Sequence, residues 1–288
     1  MQLDLFAHSA DVSLRNEVVT ALCAHDADAM RDATDRLRAD FPDDGHLERF
    51  EHLLAELSAL SQPKQSAPAI ARQAERIEIR LLPSLIKMIG ADAAQRWTEA
   101  VYGALARSPF KQTFSRSLAT AHPAGLFLRA GELSLARAAV AEIPSWRRIP
   151  EPLAWMTEIA LRERAPDEYW PLVAELAWIA PALLAALLPR AAPATALRLY
   201  QEFRLAVDSE NEDQETAWFP AWLLVEHPDL LQSLRSAQAH DSPPARSAAL
   251  LIDLLIGERQ GPTPAMLDKR RQLRELAPAI FERYMARR

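Results

Sequence analysis

Glycine is scarce in this 288-residue chain: seven glycines stand against 21 prolines. Hairpin turns in sheets and phosphate-cradling loops both draw on glycine, so seven scattered ones argue against a β-rich fold and against nucleotide loops. Cysteine occurs once, at Cys23, which excludes an intrachain disulfide framework. Basic charge is also short. Lys and Arg total 33 against 39 Asp and Glu, a net charge of −6, which opposes direct nucleic-acid binding through phosphate neutralisation. Long apolar runs are missing too. The greasiest stretch, 172–188, contains Glu175 and is broken by Pro181, short of the roughly 20 apolar residues a spanning helix needs. It reads as two buried helical pieces meeting at a turn. The first residues hold Asp4 and Asp11 and no basic cluster ahead of an apolar run, so no secretory signal is read. These absences predict a soluble, cytoplasmic protein with no membrane partner.

Alanine, leucine and arginine dominate, and they favour helix. Prolines recur between apolar-periodic segments of helical length, as expected of residues tolerated in a first turn and not in an interior. Asp11 is read as opening the first helix, with Leu14, Val18 and Leu22 inward. Asp26 or Asp28 opens the second, with Met30, Ala33 and Leu37 inward, ending at Phe41-Pro42. Leu47, Phe50, Leu54 and Leu57 mark a third. A longer helix carries Ile77, Leu81, Leu85 and Met88, with a kink expected at Pro83. Further breaks are read at ten X-Pro steps, Leu188-Pro189 among them. The fold class is therefore all-α, as antiparallel helical hairpins stacked in chain order. The segment Ser61–Pro68 is the best linker candidate. It divides the chain into an N-terminal peptide (1–8), a helical unit (9–60) and a helical domain (69–288), unless 9–288 is one continuous solenoid.

Charge is uneven along the chain. Residues 1–62 hold 13 acids and 5 bases, net −8; 63–199 hold 12 and 17, net +5; 200–257 hold 10 and 3, net −7; 258–288 hold 4 and 8, net +4. The basic C-terminus reads as a solvated helix face. The acids from Asp208 to Glu215 read as an interhelical loop, without the alternating oxygens and glycine of a calcium loop. His46 and His52 sit six apart, on different faces of a helix, and read as surface residues. Cys23, between Leu22 and Ala24, reads as a buried inert thiol. No nucleophile elbow, zinc-binding HExxH or phosphate loop is present in the sequence. No catalytic residue, metal or cofactor is assigned, and the chain is expected not to be an enzyme. Dispersed catalytic groups joined only by the fold remain the alternative from another class.

Two resemblances sharpen this reading. Phe127-Leu-Arg-Ala-Gly131-Glu-Leu133-Ser-Leu-Ala136-Arg-Ala-Ala-Val140 resembles the centre of a tetratricopeptide repeat, with Ala136 small enough for close helix approach and Leu133 and Val140 filling the flanks. Asp28, Met30, Ala33 and Leu37 echo it. The resemblance implies a TPR-like α-solenoid that binds proteins or peptides. No strict 34-residue period runs through the chain, which keeps a non-repeating bundle open.

At the N-terminus, Gln2-Leu3-Asp4-Leu5-Phe6 resembles the peptide by which bacterial polymerases and repair proteins bind the replicative sliding clamp, at all five positions. The resemblance implies Gln2 as polar anchor and Leu5 and Phe6 as apolar plug, with Leu3 in support. It also implies a role in replication or repair. The alternative is that Leu3, Leu5 and Phe6 pack back on the first helix as a staple, leaving a helical adaptor with no clamp role. Tryptophans crowd the second half. Trp146, Trp155, Trp218 and Trp222, with Arg147 and Arg148, are candidates for a peptide or anion groove, against the plainer reading of aromatics as core.

Overall fold

A computed structural model describes residues 3–60, 66–108, 113–207, 215–258 and 263–288, with side chains described from residue 10 onward. The described residues are helical throughout, with turns between and no strand among them. Chain-neighbouring helices pack as hairpins, so the all-α expectation holds. None of these helices is long and apolar enough to cross a membrane. By compactness the chain divides into Met1–Ala136 and Arg137–Arg288. The sequence places a boundary at Ser61–Pro68 instead, and Ser61–Gln65 lie outside the described residues.

In the first unit, α1 (Leu3–Cys23) packs on α2 (Ala27–Asp40), and α2 on α3 (Leu47–Leu60). α1 begins at Leu3, not at Asp11. Asp11 is an interior residue that pairs with Arg15 one turn on, 2.6 Å away, and Arg15 Nε reaches Asp44 at 2.7 Å. Val18 and Leu22 are fully buried and Leu14 partly so, as their spacing predicts. Cys23 is exposed, which corrects the buried-thiol reading: it lies off the Val18–Leu22 stripe, at the end of the helix. Asp26 caps α2, accepting from the N–H groups of Asp28 and Ala29, and Phe41 closes it. In α3, Leu53 takes the core position beside Leu57, and Leu54 is only partly buried.

α4 (Ala67–Arg76) runs through a five-residue π turn, Ile77–Leu81, into α5 (Leu82–Ile89). The sequence signals a kink at Pro83. The backbone answers with this wider turn just before the proline, where the Leu82 N–H bonds the Ile77 carbonyl five residues back. Ile77, Leu81 and Leu85 stay buried through it. α6 (Ala91–Ala106) packs on α5 and on α7 (Pro123–Arg129). A short turn joins α7 to α8 (Leu133–Ala141), and Gly131 closes it at φ +74°, a left-handed conformation that favours glycine. Ala136 and Val140 are fully buried.

In the second unit a 3-10 turn (Trp146–Arg148) leads into α9 (Pro150–Glu163), which packs on α10 (Pro166–Ile179) and α11 (Pro181–Ala191). The apolar run 172–188 does divide into two helices, parting at Ala180. Pro189 makes no break; it sits inside the last turn of α11, which ends at Ala191. α12 (Ala194–Ala206) follows. A 3-10 turn (Thr216–Trp218) then enters α13 (Phe219–Glu226), and after it comes the short α14 (Leu231–Leu234). α15 (Pro243–Gly257), α16 (Pro264–Leu276) and α17 (Pro278–Ala286) pack successively, and α13 touches both α15 and α17. Prolines open most of these helices in the first turn, where the missing N–H costs nothing.

Candidate functional site

Two concavities of the second unit hold the chemistry, and they divide the residues that the sequence groups into one groove. The first is an apolar cavity of about 320 Å³, walled by the end of α12, the Thr216–Trp218 turn, α13 and the junction of α16 with α17. Trp218 and Trp222, four residues apart, both line it. Phe203 and Ile280 also line it, and Glu215 and Arg283 supply the charged groups among its described lining residues.

The wall is built from aromatic contacts. Phe203 and Phe219 have ring centroids 5.3 Å apart, and Phe203 meets Trp222 edge-on at 5.8 Å. Phe219 lies nearly parallel to Trp222 at 6.3 Å, and Tyr200 meets Phe219 edge-on at 5.3 Å. Phe203 and Phe219 are fully buried, so these rings have one packing arrangement and hold Trp222 in place. Tyr200 Oη lies 3.0 Å from Thr216 Oγ1, a buried hydroxyl pair that ties α12 to the turn carrying Glu215 and Trp218. The Trp222 indole nitrogen is buried with no hydrogen-bond partner among the described residues.

Arg283 is committed to the protein. Its Nη2 donates to the Ala206 carbonyl at the end of α12 at 2.8 Å, and its Nη1 is 3.6 Å from Glu226, which also holds Arg287. Glu215 makes no hydrogen bond or ion pair among the described residues and is half-buried.

The second concavity, about 420 Å³, is lined by Arg147, Arg148, Glu175, Trp178, Gln238 and His240 among others. Its floor is an ion pair. Arg147 grips Glu175 with two donors, Nε to Oε2 at 2.8 Å and Nη2 to Oε1 at 2.6 Å. The Gln238 N–H adds a third at 2.7 Å. The Glu175 side chain is 2% exposed. Its burial pushes the carboxyl above the usual range, partly offset by Arg147 and the Gln238 N–H. Arg147 also lies over the Trp146 ring, 5.6 Å from its centroid. Ser145 just before them takes a left-handed φ of 57°, which turns the chain into the 3-10 turn.

Trp146 and Trp155 line neither concavity, and the Arg147–Arg148 pair does not line the cavity of Trp218 and Trp222. Sequence reasoning missed Phe203, Glu215, Arg283, Glu175 and Trp178. Only Glu175 left a signal: one acid inside an apolar run needs a buried partner. The others are joined by tertiary contacts that local spacing does not encode.

Of the N-terminal peptide, Gln2 lies outside the described residues. Leu3, Leu5 and Phe6 fall in the α1 backbone, and their side chains lie outside what is described. The acids Asp208–Asp213 are also outside the described residues. His46 and His52 are exposed, as expected. Among the described residues no group of His, Cys, Asp or Glu is placed to hold a metal ion. No protein family, no curated protein and no solved structure matches this chain.

Proposed function

We propose that this chain is a helical adaptor that works by binding other proteins, and that its N-terminal peptide recruits it to the bacterial sliding clamp. The observation that carries this reading is the five-position match at Gln2-Leu3-Asp4-Leu5-Phe6. The α1 side chains that are described pack through Leu14, Val18, Ala21 and Leu22, several turns beyond the peptide. Burial of Leu5 and Phe6 in a partner's cleft is worth about 1.5–3 kcal/mol each before ordering costs, which suits a micromolar tether. The resemblance over Phe127–Val140, in which Ala136 and Val140 are fully buried, suits a protein-binding framework of the tetratricopeptide kind.

A second reading has its own support. The α1 backbone is helical from Leu3, which favours the peptide as an integral first turn of the framework. The test is a titration of the full chain against a purified bacterial clamp, with Leu5→Ala/Phe6→Ala as the comparison. Micromolar binding lost in the double variant supports recruitment. Absent or equal binding rejects it, and a large fall in thermal midpoint of the variant assigns the peptide to the framework.

A further inference from the structure

The cavity between α12, α13 and the α16–α17 junction holds one partnered and one unpartnered ionic side chain among its described lining residues. Of the two, Arg283 is engaged within the protein, donating to the Ala206 carbonyl and sharing Glu226 with Arg287. Glu215 has no hydrogen bond or ion pair among the described residues, although it is half-buried against an otherwise apolar lining. A half-buried carboxylate left without a partner beside an apolar wall is a ready counter-charge for a cation entering the cavity.

The other walls fit the same ligand. The indoles of Trp218 and Trp222 line the cavity with Glu215, and indole is the strongest of the aromatic faces for a cation. Val207, Leu276 and Ile280 give a hydrocarbon surface on the rest of the lining. The volume, about 320 Å³, is at the lower end of the ~300–1,000 Å³ typical of small-molecule sites. Charge in this part of the sequence has the matching sign, since residues 200–257 carry 10 acids and 3 bases.

The geometry points to a binding site for a small amphipathic cation, an alkylammonium whose hydrocarbon chain lies against Val207, Leu276 and Ile280 and whose charged head lies by Glu215 and the two indoles. This site is independent of the N-terminal peptide and of the Arg147–Glu175 concavity.

Calorimetric titration of the full chain with hexyltrimethylammonium, hexanol and hexanoate tests it. The cation binds saturably, hexanol at least tenfold more weakly, and hexanoate not at all. Glu215→Gln lowers affinity for the cation by about tenfold and leaves that for hexanol unchanged. Ala279→Trp, placed on an exposed residue of the cavity lining, abolishes binding of the cation while the far-ultraviolet circular dichroism is retained. Absence of saturable binding overturns the assignment, as does equal affinity in Glu215→Gln or hexanoate binding as tightly as the cation.

Discussion

Trp97 and His25 lie face to face in the first unit, ring centroids 4.4 Å apart and planes 16° from parallel. Each also bonds the other's surroundings. The Trp97 indole N–H donates to the Leu22 carbonyl at 2.7 Å, and His25 Nε2 donates to the Trp97 carbonyl at 3.2 Å. His25 has a left-handed φ of 59°, which reverses the chain between α1 and α2. The pair therefore locks that reversal onto α6. Trp97→Phe keeps an aromatic face for His25 but removes the buried donor, and is expected to cost about 1–2 kcal/mol. The thermal midpoint and the exchange of α1 and α2 amides measure it.

His122 makes a pH-dependent cap. Its Nδ1 accepts from the Ala124 N–H at 3.2 Å at the start of α7, and the side chain is buried. Burial pulls its pKa from 6.5 down to about 4. The unfolded chain then binds a proton at pH values where the folded chain does not, so this contribution to stability is present above about 6.5 and is lost as pH falls toward 4. His122→Asn keeps an accepting cap and removes the titration. The urea midpoint of the variant is expected to fall less steeply than that of the wild type between pH 7 and pH 4.

Cys23 is exposed at the end of α1. As the only cysteine, it is expected to react stoichiometrically with a thiol reagent in the native protein, at a rate unchanged by denaturant below the unfolding transition. A reaction that waits for unfolding contradicts this placement.

The same residue shows where the sequence is legible and where it is not. Helix existence follows from local rules: Asp26 caps α2, Met30, Ala33 and Leu37 point inward, and prolines open most helices of the second unit. Ends are harder. Asp11 has the chemistry of a cap, but it pairs with Arg15 inside a helix that starts at Leu3. Cys23 looks core-like by its neighbours, yet which face a residue presents depends on the helix phase set by Val18 and Leu22. The candidate sites were the least legible. Trp218 and Trp222 share a cavity because their spacing is helical, but Phe203, Glu215 and Ile280 reach it from segments that only packing brings together. Arg147 and Trp218 are alike in sequence as groove candidates, and the fold sends them to different concavities.

Glu175 and Arg147 give the sharpest energetic test. The carboxylate is 2% exposed and the guanidinium 30% exposed, so the acid depends on its partner and the base does not. Arg147→Met leaves a buried charge with only the Gln238 N–H to hold it, and is expected to cost about 3 kcal/mol. Adding Glu175→Gln to that variant removes the stranded charge and keeps an acceptor for Gln238, so most of the loss should return. Burial raises the Glu175 carboxyl above its usual range, so the folded chain holds this proton more tightly than the unfolded one. That contribution is present below the ordinary carboxylate pKa and is lost as pH rises through the raised value. Glu175→Gln alone is therefore expected to gain on the wild type as pH rises from 4 to 8. Urea unfolding of the wild type, the two single variants and the double variant across that range measures both effects. If the double variant is as unstable as Arg147→Met, the cost comes from Arg147 packing on Trp146 and not from the stranded carboxylate.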